Sequence, residues 1–274
     1  MPDGFRRVPV LRVGRTPDAL PEDTVAVEEP LEVRLHGKPF AVIMRTPGSD
    51  RELAAGFLLA EGVVQSNDDL GAVEHCRHPD HPDRHNVVDV FLVGEARRDL
   101  GRHLEERRNV VTSSSCGLCG RVTIDSLRCR ARPLQPSWRV DRQIAAALPA
   151  ALRSGQQLFD QTGGLHAAGL FGLDGTCTAL AEDVGRHNAV DKVIGASLMA
   201  GSLPLAETIL VVSGRTSFEI VQKAWIAGVE LICAVSAPSS LAIDLADAAG
   251  ITLLGFVRGS GFNVYTHATR LSAV

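Results

Sequence analysis

The sequence predicts an α/β protein with a smaller α+β part ahead of its main sheet. Three observations predict it. Between residues 208 and 257, strand-length runs alternate with helical stretches in the order strand, helix, strand, helix, strand. Those strand runs are almost continuously apolar, the pattern of a sheet buried on both faces. Residues 31–93 instead carry short alternating runs and a helix without that repeat.

Residues 1–28 are polar and broken by prolines, and read as a loose leader. Leu31–Leu35 alternates, Gly37 turns the chain, and Phe40–Met44 returns, which predicts a hairpin. Asp50 is placed to cap a helix over Arg51–Glu61, with Gly62 as its stop. Val87–Val93 reads as a further strand. The chain changes character around Arg132-Pro133-Leu134-Gln135-Pro136, which puts a domain boundary near 138. The expected organisation is therefore a leader (1–28), a small α+β domain (29–137) and a larger domain (138–274). In the last, Asp141 caps an Ala-rich helix that contains Pro149. The alternation then follows: strand Thr208–Val212, helix Ser217–Gly228, strand Leu231–Val235, helix Ser239–Ala249 and strand Ile251–Val257.

Composition narrows the class. The chain has 274 residues, 45% hydrophobic and 22% charged, as in soluble globular proteins with one large core or two modest ones. Ile209–Val212 and Leu231–Val235 are too short to span a bilayer. No apolar signal core follows Met1–Arg7. A cytoplasmic protein is expected, with reduced thiols and neither membrane nor nucleic acid as partner. The six cysteines are scattered, which argues against a disulfide framework. Cys177 and Cys233 lie in strand-like runs and are expected to be buried. Net charge is −4, yet residues 97–142 hold eleven Arg against five acids. That excess can hold phosphates. However, with 25 Arg and three Lys, Arg is simply this chain's usual cation.

The most informative motif is Cys116-Gly117-Leu118-Cys119, set in Ser113-Ser114-Ser115 and Gly120. Small neighbours leave the thiols accessible, and a Cys-x-x-Cys pair lowers one thiol's pKa toward neutrality, which favours the nucleophilic thiolate. A structural zinc site needs four ligands, typically two such pairs, and only one pair is present. A thioredoxin-type motif would open a helix after a strand, and here no apolar helix follows. The reading that gains is a sulfur-handling loop. His75, His78, His81 and His85 surround Cys76 in a Pro-broken stretch that has the composition of a metal site or of a surface loop.

Three polar turns follow apolar strands. Ser213-Gly214-Arg215-Thr216-Ser217 offers a glycine, a guanidinium and a helix N-terminus to an anion, or Ser217 merely caps that helix. Ser236–Ser240 reads more simply as a cap. Arg258-Gly259-Ser260-Gly261 places an arginine at the carboxyl edge of a sheet, where anionic ligands bind. Glu182-Asp183-Val184-Gly185-Arg186-His187-Asn188 forms either a cleft or a structural ion-pair network. His166, after Thr162-Gly163-Gly164-Leu165, is either a satisfied core histidine or a functional one.

Taken together, several segments resemble the formate dehydrogenase accessory sulfurtransferases of the FdhD family. They are Ser113–Gly120, Thr162–Ala168, Glu182–Lys192, Ser213–Arg215 with Gln222-Lys223-Ala224, and Gly255–Arg258 with Phe262–Thr266, all in the family's order. The resemblance implies a cytidine-deaminase-like three-layer C-terminal domain behind the smaller N-terminal one, and a homodimer. It implies that persulfide sulfur is taken from a cysteine desulfurase. That sulfur would pass to the molybdenum bis(molybdopterin guanine dinucleotide) cofactor needed by formate dehydrogenase. Cys116 matches the persulfide-bearing residue and Cys119 its partner. Phe256, Val257, Arg258, Gly259, Ser260 and Gly261 match the cofactor-binding segment, for which GDP would be a mimic. Deaminase chemistry itself needs a His-x-Glu or Cys-x-Glu pair together with Pro-Cys-x-x-Cys; His103-Leu104-Glu105 has the first spacing, but no Pro-Cys-x-x-Cys occurs in the sequence. The alternatives are a cofactor chaperone that moves no sulfur and a zinc-binding interaction module.

Overall fold

The computed structural model describes residues 4–14, 22–76, 84–107, 132–135 and 137–272. Residues Phe5–Pro9 (β1) and Glu22–Ala26 (β2) form an antiparallel ribbon. Glu29–Leu35 (β3) and Lys38–Arg45 (β4) form the expected hairpin. Helix α1 (Asp50–Ala60) follows, then β5 (Leu70–His75), β6 (Val87–Leu92) and the short helices α2 (Gly94–Arg98) and α3 (Leu100–Arg107). These strands make a four-stranded sheet in the order β4-β3-β6-β5.

The larger part opens with α4 (Arg142–Ser154) and α5 (Gln157–Thr162). Next come β7 (His166–Gly172), β8 (Cys177–Asp183), α6 (Arg186–Met199), β9 (Thr208–Val212) and α7 (Phe218–Ala227). The chain ends through β10 (Leu231–Ala234), α8 (Ser240–Ala249), β11 (Thr252–Arg258) and β12 (Gly261–Thr266). The six-stranded sheet runs β12-β11-β10-β9-β7-β8. Its centre β9-β10-β11 is parallel, while β7, β8 and β12 pair antiparallel to their neighbours. The near-continuous apolar strands bury both faces, as their composition requires. On one face Ala145, Leu148 and Leu152 of α4 cover Phe171, Val211, Cys233 and Leu254. On the other, Leu170, Leu210, Ile232 and Leu253 join α6, α7 and α8.

That second core does not stop at α6. It runs on through α1 into Leu31, Val33, Val88 and Val90 of the small sheet. The junction is a very close crossing of α1 over α6. A Cβ on Gly56 would lie 2.0 Å from the Asp191 carbonyl oxygen, and one on Gly195 would lie 1.9 Å from that of Glu52. Only glycine lets the two backbones approach so far. Residues ahead of 138 also lie on the larger part: Leu134 N–H donates to Ala249 O at 2.8 Å, and Trp225 Nε1 donates to Arg132 O at 2.9 Å.

Three expectations need correction. The leader is not wholly loose, because its two ends pair across the ribbon. Asp50 does not cap α1; Ser49 holds the N-cap position in a left-handed conformation. Asp50 is buried and receives Arg45 Nε and Nη2 at 2.9 and 3.0 Å, since Arg45 is 1% exposed and needs a buried anion. Cys177 is exposed because it opens β8, an edge strand, whereas Cys233 is buried as expected. Among the described residues, no helix is long and apolar enough to cross a membrane.

The α1–α6 crossing generates a direct expectation. Gly195→Ala must push the helices apart, and overpacking typically costs about 1–3 kcal/mol, occasionally more. Urea denaturation is expected to show a loss at or above the top of that range. A loss within about 0.5 kcal/mol would mean that the helices do not cross this closely.

Candidate functional site

Topology gathers the polar turns. The carboxyl ends of β9, β10 and β11 share an edge of the sheet. Because β7 is antiparallel to β9, its first residue, His166, arrives at that same edge. Because β8 is antiparallel to β7, Asp183 ends there too, opposite His166. The turns 163–166, 183–187, 213–217 and 235–239 therefore meet, as open α/β sheets place their ligand crevices.

A cavity of about 660 Å³ opens at this edge, with Arg153, Gly164, His166, Ser213, Val257 and Arg258 among its walls. Gly163 ends α5 at φ +63°, a left-handed turn that suits glycine and lets the backbone line the cavity. Ser213 Oγ accepts Ala167 N–H at 2.8 Å, which fixes the turn to β7. Arg153 bonds Asp160 at 2.5 Å and lies over the Phe159 ring, 4.7 Å from its centroid. Arg258 is exposed, at the end of β11. Burial pushes the His166 imidazole below its ordinary pKa, and the neighbouring Arg186 and His187 push the same way against Asp183. His166 is therefore neutral at pH 7. Arg186 Nε and Thr216 Oγ1 are buried without a protein partner among the described residues.

The segment 256–261 divides. Val257 and Arg258 line this cavity. Gly259, Ser260 and Gly261 line a neighbouring one of about 630 Å³, together with Arg142 and Phe262. Phe256 lines neither: it sits at φ +53° in the irregular stretch between Gly255 and Arg258, 43% exposed. Cys116 and Cys119 lie outside the described residues. So do residues 77–83 of the His-rich stretch. His75, Cys76 and His85 border a cavity of about 290 Å³ beside the Arg45–Asp50 pair.

Glu182–Lys192 resolves into a buried network. Asp183, fully buried, pairs with Lys192 Nζ at 2.7 Å. Its carboxylate also accepts Thr46 N–H at 3.2 Å, Gly185 N–H at 2.8 Å and Asn188 Nδ2 at 2.8 Å. Lys192 donates on to Thr46 O at 2.9 Å, and Asn188 Nδ2 to Met44 O at 2.8 Å. Glu182 accepts the Leu158 and Phe159 amides at the start of α5, at 2.9 and 2.8 Å. Lys223 pairs with the buried Asp191 at 2.6 Å. Ser217 holds the N-cap position of α7, but its side chain makes no capping hydrogen bond to the helix. Its Oγ meets His187 Nε2 at 2.9 Å. The same nitrogen lies 3.5 Å from Glu219 Oε2, so these three groups cannot relay a proton as a serine–histidine–acid triad, which uses both ring nitrogens. Burial alone would raise the Glu219 pKa, but hydrogen bonds from His187 and Ser217 hold it at about 2.

Sequence reasoning missed Arg153, the network's reach to Thr46, and the burial of two lysines. The available signal was scarcity: only Lys38, Lys192 and Lys223 depart from Arg, and the latter two are 2% and 7% exposed.

The fold and the cavity define a class: an α/β protein with a cavity at the carboxyl ends of its parallel strands. The model of the FdhD/NarQ family matches residues 26–272, and the chain belongs to that family. A protein of Streptomyces avermitilis named "Sulfur carrier protein FdhD" is 51% identical over 256 residues, covering 91% of this chain and 89% of the relative. One of the same name from Anaeromyxobacter sp. (strain K) is 52% identical over 268 residues, covering 96% of this chain and 92% of the relative. The crystal structure of a protein from Desulfotalea psychrophila, described as a formate dehydrogenase accessory protein, shares the fold. Its TM-score is 0.75 at 24% identity, over 98% of each chain.

Two outcomes follow from the network. Lys192→Met leaves Asp183 buried without its cation, and breaking such a pair costs about 3–5 kcal/mol. Chemical denaturation of the variant is expected to show a loss of that size, and a wild-type midpoint would deny the pair its role. The Glu219 pKa is lower when folded than its ordinary 4.5. Its stabilisation is thus complete above about pH 4.5 and lost as pH falls toward 2. Glu219→Gln is expected to be less stable at neutral pH, with a shallower fall of stability across that window. Equal slopes for both proteins would contradict this.

Proposed function

We propose that this chain is a sulfur carrier that serves formate dehydrogenase. A thiolate of Cys116 attacks the outer sulfur of a cysteine desulfurase persulfide. The S–S bond to the donor's sulfur breaks, a new one forms to Cys116 Sγ, and the donor leaves as a thiolate. Cys119 is the second thiol of the pair. The sulfur is then delivered as sulfide to the molybdenum bis(molybdopterin guanine dinucleotide) cofactor, held as a substrate at the carboxyl edge of the large sheet: the Cys119 thiolate attacks Cys116 Sγ, the outer sulfur leaves with the bonding pair, and a Cys116–Cys119 disulfide remains for an external thiol to reduce. Relatives about half identical to this chain are named sulfur carriers, which supports the general role.

The observation that carries the cofactor side is the crevice itself. An arginine at the end of a parallel strand, a glycine turn and a neutral histidine share one cavity of about 660 Å³. Guanidinium groups pair with phosphates in two-pronged fashion, and glycine lets the ligand reach backbone N–H groups. On this reading Val257 and Arg258 hold one part of the cofactor, Gly259–Gly261 reach toward the next, and Phe256 is not a contact. The small sheet and the six-stranded sheet with its helices are read as two domains. The larger has a cytidine-deaminase-like arrangement, and the chain works as a cytoplasmic homodimer.

Mass spectrometry after incubation with a cysteine desulfurase and cysteine is expected to find an added sulfur on Cys116, and Cys116→Ala to abolish activation of formate dehydrogenase. Normal activation by both Cys116→Ala and Cys119→Ala would overturn the sulfur-carrier reading. Arg258→Ala is expected to weaken GDP binding by about 1.5–3 kcal/mol, the range for a hydrogen bond to a charged group. Arg258→Lys should restore only part, since an ammonium cannot reproduce the planar fork. Loading of Cys116 should persist in both variants. Wild-type GDP affinity in Arg258→Ala would remove the ligand role from this residue.

A further inference from the structure

We propose that the junction of the α6 and α7 N-termini is a hydrosulfide site, where Arg186, Gly214 and Thr216 hold the sulfur anion released during transfer. The proposal rests on the sulfur-carrier reading and adds to it the place that receives the leaving sulfur.

Two uncapped helix starts meet here. Helices α6 and α7 are 14 and 10 residues long, and neither N-cap residue, Gly185 or Ser217, makes a side-chain cap. Their first amides keep their partial positive charge for another acceptor. The two starts touch, since His187 Nε2 lies 2.9 Å from Ser217 Oγ. Gly214 sits between them. A Cβ there would lie 3.3 Å from His166 Nδ1 and 3.7 Å from Arg186 Cδ. The absent side chain thus leaves a gap bounded by an imidazole and a guanidinium stem.

The polar groups around this gap lack partners. Thr216 is 1% exposed and its Oγ1 is unpartnered, as is the buried Nε of the half-buried Arg186. Among the described residues, the side chains of Arg186 and Arg215 make no hydrogen bond and no ion pair. The nearby acids are committed, Asp183 to Lys192 and Glu219 to His187. A buried donor left unpaired keeps its full desolvation penalty, so these groups suit an anion that the chain itself does not supply.

The reaction selects the anion. When the Cys119 thiolate attacks Cys116 Sγ, the outer sulfur keeps its proton, takes the bonding pair and leaves as hydrosulfide. Donors already aimed at a developing charge lower the barrier to such a step. His166 is neutral, so one ring nitrogen accepts the S–H, a bond that a fully ionised anion does not offer. The same imidazole lines the cavity read as the cofactor site, which puts the held sulfur one side chain from its acceptor.

Anaerobic equilibrium dialysis of the reduced full chain against sodium hydrosulfide tests this. One equivalent per chain is expected, and Arg186→Gln should weaken it at least tenfold. Gly214→Ala keeps every charge and fills the gap; it should weaken binding as much, and it decides the matter if Arg186→Gln does not fold. In Gly214→Ala, sulfur should still load on Cys116, while release of sulfide from the loaded chain slows at least tenfold. Wild-type binding and release in that variant put the anion elsewhere and overturn the proposal. Full displacement by GDP or by inorganic phosphate gives these groups to a phosphate and also overturns it. A chain that loads sulfur on Cys116 but binds no hydrosulfide overturns this inference alone. A chain that loads no sulfur overturns the sulfur-carrier reading, and this role with it.

Discussion

The carboxylate of Asp183 has no access to solvent, and a buried anion is tolerated only when its lone pairs are filled. Lys192, Gly185, Asn188 and the Thr46 amide fill them. These partners come from two places far apart in sequence. Gly185, Asn188 and Lys192 open α6, and Thr46 leaves the hairpin of the small sheet. Pairing the charge therefore fixes the small sheet against the large one. The same step sets the start of α6, and with it Arg186 and His187, at the carboxyl edge where the crevice lies. Losing the pair would leave one buried charge alone, so the two parts hold a single relative position.

The α1–α6 crossing meets the same constraint by packing. Lys192 and Asp191 lie one helical turn before Gly195, and the hairpin residues Met44–Thr46 lie just ahead of α1. The polar knot and the glycine contact thus fix neighbouring turns of the same helix pair. Lys223 on α7 holds Asp191 from the other side. Burial raises the Asp191 carboxyl above its ordinary pKa, and Lys223 opposes that rise. Three elements, α1, α6 and α7, are therefore held together by buried ion pairs and close packing.

Much of this was legible in the sequence, and the exceptions have physical causes. The strands from Thr208 to Arg258 were readable because a sheet covered on both faces needs continuous apolar runs, and few other structures do. Ribbon β1–β2 was not readable. Its strands lack an apolar face, and their pairing runs from Phe5–Ala26 to Pro9–Glu22 across an intervening stretch of chain. Asp50 carried the local signature of a cap, but a non-local partner, Arg45, claimed its carboxylate. Cys177 was expected inside because its neighbours are small or apolar, yet its strand lies at the edge of the sheet. At the site, Arg258 announced itself by its Gly-Ser-Gly turn. Arg153 did not, because an arginine on an Ala-rich helix is ordinary until the fold puts a cavity beside it. The Cys-x-x-Cys motif was the plainest chemical signal in the chain, and it lies outside the described residues.

Charge follows the same division between structure and ligand. The chain carries a net −4, so its field as a whole does not attract a polyanion. Its buried cations are committed: Arg45 to Asp50, Lys192 to Asp183, Lys223 to Asp191. Arg142 and Arg258 are different. Both are exposed, Arg142 lining one of two neighbouring cavities and Arg258 the other. A cation already paired has little attraction left for a phosphate, whereas one aimed into a cleft with apolar walls focuses its field there. Ala, Val, Leu and Phe side chains share the walls of these cavities with glycines and polar groups, and the apolar ones lower the local dielectric and strengthen each contact. Affinity for an anionic ligand therefore does not require a basic protein, only cations left unspent where the sheet opens.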